Sequence, residues 1–114
     1  MKTYIISFYQ QEVSDDELAA FLETKREVLN LVRSLPNTVF IASDRNASFL
    51  SSLIDKKFPQ AFHIVAEYVP YNSDGLLPKE IWDFLNKPRK ARKGHKSVSK
   101  KNRVARGKSV SERR

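Results

Sequence analysis

Residues 3–9, with the sequence TYIISFY, decide the class of fold expected for this chain of 114 residues. The stretch is rich in β-branched and aromatic residues and is too short for a helix, so it predicts a buried first strand. Residues 14–17 (SDDE) follow as a capping box, in which the Ser14 hydroxyl accepts a hydrogen bond from the amide of Glu17 and the Glu17 carboxylate accepts one from the amide of Ser14. A helix is therefore predicted to begin at this point.

The helix that starts at the capping box is predicted to be long. Lys25 is the one break in its apolar stripe, and the aliphatic stem of this side chain can cover apolar surface. Because Pro36 and Asn37 favour a helix end, we expect the helix to stop near Ser34. The apolar residues that recur at helical spacing are Leu18, Phe21, Leu22, Val28, Leu29 and Val32.

Two further strands and two further helices follow along the chain. Residues 38–43 (TVFIAS) predict a second strand, residues 47–58 a second helix, and residues 61–69 (AFHIVAEYV) a third strand. A loop over residues 70–75 leads to a short third helix that runs through Asn86. The order β-α-β-α-β-α favours an α+β or α/β sheet with its helices on one face. One face of the third strand is predicted to carry Phe62, Ile64, Ala66 and Tyr68.

Charge is distributed unevenly along the chain. Residues 87–114 hold thirteen Lys/Arg against one acid, Glu112, for a net charge of +12. Residues 1–86 hold eight Lys/Arg against twelve Asp/Glu, for a net charge of −4. No aromatic residue follows Phe84, so the tail cannot bury enough surface to offset the entropy of ordering. We therefore predict a folded acidic body over residues 1–86 and a basic, intrinsically disordered tail over residues 87–114.

The basic tail is the strongest functional signal in the sequence. A flexible polycation binds phosphate backbones by releasing condensed counterions, so we expect the tail to bind nucleic acid. RNA is favoured over DNA, because arginine-rich segments commonly fold on structured RNA. A solubilising tail, a localisation signal or an arm for an acidic partner are the alternatives. The candidate nucleic-acid-binding residues are Arg89, Lys90, Arg92, Lys93, Lys96, Lys100, Lys101, Arg103, Arg106, Lys108, Arg113 and Arg114.

Several classes of protein are excluded by the composition. The chain has no cysteine, which excludes a disulfide framework and a cysteine-ligated zinc and makes a cytoplasmic location the default. No apolar run approaches the roughly 18 residues of a membrane helix, and no membrane partner is expected. His63 is expected to be structural, and His95 to be solvated in the tail. The sequence predicts no catalytic residue, no metal and no cofactor, since it contains no Gly-rich phosphate loop and no nucleophile set.

Three short patches resemble the ferredoxin-like family of CRISPR-associated adaptation endoribonucleases, particularly its stand-alone relatives. The patches are residues 1–8 (MKTYIISF), residues 37–41 (NTVFI) and residues 75–82 (GLLPKEIW). The resemblance implies a small ferredoxin-like sheet and a homodimer formed through sheet edges. In that family an acidic residue at the end of the first strand binds the catalytic metal, but Tyr9 stands at the matching position here. The resemblance thus argues against nuclease activity, and a second hairpin strand is not evident between Leu35 and Thr38.

The leading hypothesis is a small, non-enzymatic nucleic-acid-binding accessory protein, whose tail grips phosphate and whose body makes dimer or protein contacts. A second hypothesis is a divergent Mg²⁺-dependent or antitoxin-like endoribonuclease that uses Asp44 or Glu12. A third is a phage-type inhibitor or adaptor whose acidic body binds a basic protein. The acids of the first helix that would serve the third hypothesis are Asp15, Asp16, Glu17, Glu23 and Glu27.

Overall fold

The computed structural model describes residues 1–9, 11 and 13–91 of the chain, and the backbone of residues 111–113. A short 3-10 turn at Pro70–Asn72 lies between the fourth and fifth strands. The elements in chain order are β1 (Lys2–Phe8), α1 (Asp15–Glu23), β2 (Asn30–Val32), β3 (Thr38–Ser43), α2 (Ala47–Lys57), β4 (His63–Glu67), β5 (Leu76–Pro78), α3 (Lys79–Asn86) and β6 (Ser111–Arg113).

The main sheet has four antiparallel strands in the order β2-β3-β1-β4. Together with α1 and α2 these strands make the sequence β-α-β-β-α-β, which is the ferredoxin-like arrangement. The α+β class and the ferredoxin-like sheet predicted above are confirmed. The buried apolar strand at residues 3–9 is now placed at the centre of the sheet as β1, between β3 and β4.

The main core lies between the sheet and the helices α1 and α2. Alternate residues of β1 and β3 enter it, as expected for strands with one face against helices. From the helices, Leu18 and Leu22 of α1 and Leu50 and Ile54 of α2 are fully buried against these strands. The strand residues of this core include Tyr4, Ile6, Phe8, Val39 and Ile41.

The third helix packs on the opposite face of the sheet, which differs from the prediction that all helices share one face. Phe40 of β3 and Ile5 of β1 point away from the main core and contact the apolar side of α3. The apolar residues of α3 recur at helical spacing, so they form a single apolar stripe that covers this part of the sheet. Helices therefore cover the sheet on both faces. The residues that α3 contributes to this second core are Ile81, Trp82 and Leu85.

The first helix is shorter than predicted, and three of the residues assigned to it, Asn30–Val32, form a strand instead. The helix ends at Glu23, Thr24 caps it, and Val28 donates a turn hydrogen bond to Lys25 O at 3.1 Å. The residues at 30–32 then pair with β3 as the edge strand β2. The apolar residues at positions 28, 29 and 32 recur at helical spacing, whereas Leu29 and Leu31 are two apart as in a strand, and pairing with the otherwise open edge of β3 decides between the two structures. This strand is the second hairpin strand that the sequence does not reveal.

The fourth strand presents its apolar face to solvent. Phe62, just before β4, is 77% exposed and Ile64 is 63% exposed, whereas Val65 on the other face packs into the main core. The face that is richer in apolar residues is therefore not the face that meets α2. The half-polar face meets α2 instead, where His63 and Val65 are partly buried and Glu67 stays exposed.

The chain beyond α3 is described in two parts. Residues 87–91 run along the body, five residues past the predicted end of the folded part. The backbone of Ser111–Arg113 pairs antiparallel with β5, a short strand pair that the sequence does not predict. The disorder predicted for the tail falls mainly on residues 92–110 and 114, which lie outside the described residues.

Candidate nucleic-acid interface

The basic segment begins at a point that is attached to the sheet. The amide of Ala91 donates a hydrogen bond of 2.8 Å to Leu29 O, and the Asn30 side-chain amide donates one of 2.9 Å to Arg89 O. Leu29 directly precedes β2 and Asn30 is its first residue, so residues 89–91 contact the start of this edge strand through one backbone carbonyl and one side chain. The polycation is therefore joined to the body at this edge of the sheet, and not directly at the end of α3.

Two of the predicted binding cations, Arg89 and Lys90, lie in this attached segment. Both side chains are exposed. Because the contacts of this segment with the sheet use its backbone atoms, the cationic groups point toward solvent. Arg113 belongs to β6, of which the backbone alone is described. The predicted residues that lie outside the described part of the chain are Arg92, Lys93, Lys96, Lys100, Lys101, Arg103, Arg106, Lys108 and Arg114.

Most cations of the body already contact other groups of the body. The shortest ion pair joins Arg33 Nη1 to Asp16 Oδ1 at 2.9 Å, and the guanidinium of Arg45 lies 3.7 Å from the centroid of the Phe49 ring. Exposed ion pairs contribute little to stability, but the carboxylate offsets the cationic charge that a polyanion would need, whereas a ring contact leaves that charge in place. Together with these two, the cations with an acidic or aromatic neighbour are Lys2, Lys25 and Lys79.

The acids at the start of α1 have structural contacts of their own. The capping box predicted at Ser14 is confirmed, with both of its hydrogen bonds at 3.1 Å. Asp15 accepts from the amide of Asn37 at 3.4 Å, and Asp16 pairs with Arg33. These contacts join the first turn of α1 to the β2–β3 connection, so they explain the acidic cluster without a basic partner protein.

Asp44, one of the two acids invoked for a nuclease, does not lie at the end of β1. Tyr9, where the family resemblance would require an acid, is half exposed and its hydroxyl donates to Gln11 Oε1 at 2.5 Å. Asp44 pairs with the amino group of Met1 at 3.1 Å, and the register of β1 with β3 puts it at the opposite end of β1. Glu12 lies outside the described residues. Within residues 1–9, 11 and 13–91, no group of three His, Asp or Glu side chains could hold a metal ion.

His63 joins β4 to α2. Its Nε2 lies 2.8 Å from Ser51 Oγ and its Nδ1 lies 3.0 Å from Ala61 O. Because a backbone carbonyl can only accept, the Nδ1 carries the proton and the Nε2 accepts from the Ser51 hydroxyl. The Nε2 contact joins the helix to the strand and the Nδ1 contact holds the ring against the turn before β4, which is a structural role of the kind that the sequence predicts for this histidine.

The outer edge of β4 is the other conspicuous surface of the body. The amide of Tyr9 donates to Phe62 O at 3.0 Å and the amide of Tyr68 donates to Thr3 O at 2.9 Å. In an antiparallel pair these bonds recur at every second residue, so the even-numbered residues of β4 bond to β1. The amides and carbonyls of His63, Val65 and Glu67 consequently point away from the sheet. Sequence analysis missed this edge because it depends on which strand is outermost.

Comparisons of this chain with family models, with curated proteins and with solved structures give no match. The resemblance to CRISPR-associated endoribonucleases therefore stays a prediction. None of the helices in the described part of the chain is long and apolar enough to cross a membrane.

Proposed function

We propose that this chain is a small, non-enzymatic nucleic-acid-binding accessory protein. The basic tail grips the phosphate backbone, with RNA favoured over DNA, and the body carries the tail and makes contacts with a second copy or with another protein. Its affinity comes from counterion release, so it depends on salt and only weakly on base sequence.

The observation that carries this proposal is a difference between tail and body. The first cations of the tail face solvent, whereas the body has a negative net charge and most of its cations have partners. Arg89 and Lys90 are the first candidate binding residues of the tail, and the backbone around them is held at the start of β2 while their side chains face solvent. The body has a net charge of −4, and five of its eight cations contact an acid or a ring. A polyanion is thus repelled by the body and attracted by the tail alone.

The test is a salt titration of binding to a labelled structured RNA and to its DNA equivalent. The full chain is compared with a variant in which the eight lysines and arginines of residues 92–108 are replaced by glutamine. A matched control keeps the composition of residues 92–110 but shuffles their order. We expect the shuffled chain to bind as the natural one does, and the glutamine variant to lose most of the affinity.

The slope of the salt titration distinguishes electrostatic binding to phosphates from other kinds of contact. The logarithm of the binding constant should fall by roughly 0.7–0.9 per phosphate contact for each log unit of salt. Equal affinity of the glutamine variant would refute the proposal, because the eight cations of residues 92–108 would then contribute nothing to binding. The same mixtures with and without Mg²⁺ on a denaturing gel test the nuclease hypothesis, which requires RNA fragments that disappear in Asp44→Asn or Glu12→Gln.

A further inference from the structure

We propose that the part of the sheet that α3 leaves uncovered binds unpaired nucleobases of a single-stranded nucleic acid, which stack on the rings of Tyr9 and Phe62. The side chains of Tyr9, Phe62, Ile64 and Ser7 are called the base platform below. This site rests on the proposed function, because it names the form of nucleic acid that the chain binds and adds a contact from the body to those of the tail.

The helix α3 covers only the part of the sheet near the beginning of β1. Ile5, which pairs with Phe40 of β3, belongs to the core under α3. Two residues further along β1, Ser7 pairs with Thr38 of β3 and with Ile64 of β4. Ser7 is exposed and Ile64 is 63% exposed, so the cover that α3 provides ends between these two rows. The face opposite α1 and α2 is therefore open at the end of the sheet where β1 ends.

Two aromatic residues lie side by side in the next row of this open face. The amide of Tyr9 donates to Phe62 O at 3.0 Å, so the two residues are cross-strand neighbours that continue the register of β1 with β4. Phe8 enters the main core, and Tyr9 lies on the opposite face because strand residues alternate. Tyr9 and Phe62 are 54% and 77% exposed. Directly opposite side chains have Cβ atoms about 5 Å apart, so both rings belong to one small patch.

The faces of these two rings are not used in packing. The buried ring of Tyr68 contacts Trp82 with ring centroids 6.5 Å apart, but within the described part of the chain Tyr9 and Phe62 have no such ring partner. The hydrogen bond from the Tyr9 hydroxyl to Gln11 Oε1 uses the tip of the ring and not its faces. Single exposed apolar residues are ordinary, whereas a cross-strand pair of rings beside an exposed isoleucine is typical of an interaction site. Open aromatic faces are surfaces on which a nucleobase stacks.

The size of the base platform favours a nucleobase over a protein partner. A buried aromatic side chain contributes roughly 150–250 Å², so two partly exposed rings and one isoleucine offer on the order of 400 Å². A stable protein interface takes about 800 Å² from each partner. Stacking of a base, in contrast, needs the face of a single ring. The platform is therefore large enough for one or two bases and too small for a stable protein interface.

The charges near the platform suit a ligand with neutral flat groups on an anionic backbone. The platform itself has no charged side chain. Lys56 and Lys57 end α2, and the chain reaches Phe62 through residues 58–61, so both lysines lie at the platform's end of the sheet. Both are exposed, and among the described residues neither forms an ion pair or a ring contact. A base on the rings thus has ammonium groups available for a neighbouring phosphate.

The tail and the base platform bind different parts of a nucleic acid. The tail binds phosphates, which a single strand and a duplex both present. The platform binds the faces of bases, which a duplex buries between its base pairs. Because stacking releases no counterions, the platform adds affinity for single strands without changing the salt dependence of binding.

The experiment measures the affinity of the full chain for three probes. These are an oligothymidylate of about 12 nucleotides, an abasic analogue of the same length and charge, and the duplex of the oligothymidylate with its complement. The test variant is Tyr9→Leu with Phe62→Leu, which keeps apolar side chains at both positions but removes the aromatic faces. We expect the natural chain to bind the oligothymidylate more tightly than the abasic analogue. The double variant should lose about fivefold or more of its affinity for the oligothymidylate and none for the other two probes.

Two control variants separate stacking from other effects. Tyr71→Leu removes an 89% exposed ring in the turn after β4, at the opposite end of that strand. Tyr9→Phe removes the hydroxyl but keeps the ring. Both should bind the oligothymidylate as the natural chain does. A salt titration of the double variant should keep the natural slope, and urea unfolding should show that this variant is folded, since both of its substitutions are at exposed positions.

Three results would each overturn the base platform. They are equal binding of the natural chain to the oligothymidylate and the abasic analogue, an equal loss in the double variant on all three probes, and the same loss in Tyr71→Leu. None of them contradicts the tail as the phosphate contact, because the abasic analogue still carries every phosphate. The glutamine variant of residues 92–108 tests the tail separately, and natural affinity of that variant for the abasic analogue would refute the proposed function. Failure of the natural chain to bind any probe would overturn both.

Discussion

The hydroxyl of Thr3 donates a hydrogen bond of 3.1 Å to the carbonyl oxygen of Leu85, and this contact joins the beginning of β1 to the last turn of α3. Thr3 is 4% exposed, so the bond is shielded from water. The helix C-terminus leaves carbonyl groups without partners inside the helix, and Thr3 satisfies one of them. The helix from which the basic tail departs is therefore attached to the central strand of the sheet.

The first prediction concerns this attachment. Thr3→Val keeps the shape and the β propensity of the side chain but leaves Leu85 O without its donor, so the free energy of unfolding should fall by about 1–2 kcal/mol. Urea unfolding of the full chain measures the change. Thr38→Val is the control, because the Thr38 hydroxyl bonds to Pro36 O at an exposed turn and its loss should cost little. Equal effects of the two substitutions would show that the buried bond contributes nothing particular.

Tyr4 gives a prediction at alkaline pH. Burial raises the pKa of its phenol above the ordinary value near 10, and the Glu67 carboxylate adds to the increase. The unfolded chain therefore loses this proton at a lower pH than the folded chain does. The stabilisation is fully present below pH 10 and is lost as the pH rises through the folded pKa, so stability should decline in that range.

Tyr4→Phe should flatten this alkaline decline. At neutral pH it should cost about 1 kcal/mol, because the Tyr4 hydroxyl donates to Arg45 O at 2.6 Å. Thermal unfolding at a series of pH values measures both effects. Tyr71→Phe, at an 89% exposed position, should leave the pH dependence unchanged. An unaltered decline in Tyr4→Phe would mean that other groups cause it.

Asn37 occupies the left-handed region of backbone space, with a φ of 58°. A glycine adopts this conformation without steric cost, whereas an alanine is strained there by roughly 1–2 kcal/mol. The Oδ1 atom of Asn37 is also buried without a hydrogen-bond partner among the described residues. Asn37→Gly should therefore be neutral or stabilising and Asn37→Ala destabilising in chemical unfolding. The opposite order would contradict the backbone conformation.

Ser51 and Ser52 are neighbours on α2 with different predicted effects. Ser51 bonds to the ring of His63 across the helix–strand contact, while Ser52 donates at 2.7 Å to Phe49 O within its own helix. Ser51→Ala should lower the free energy of unfolding by about 1 kcal/mol, since it leaves the Nε2 of His63 without a donor. Ser52→Ala should be neutral or slightly stabilising because alanine has the higher helix propensity. A larger loss in Ser52→Ala would contradict this assignment.

Local sequence determined the elements whose signals do not depend on distant residues. The run at residues 3–9 has a composition that suits a buried strand, and the capping box at Ser14 starts α1 as predicted. The second helix begins after Asn46, whose side chain accepts from the amide of Phe49. The separation of charge between body and tail is a property of composition, and the proposed function follows from it.

The tertiary structure decided the end of α1, the side on which α3 packs, and the edge at which β4 lies. Residues 30–32 suit a helix or a strand equally well, and the open edge of β3 made them a strand. The apolar side chains of Phe62 and Ile64 resemble a core face, yet their exposure depends on α3 covering the other half of the sheet. A hydrophobic period in the sequence indicates that one face of an element is apolar. Which neighbour covers that face depends on strand order and on contacts between residues far apart in the chain.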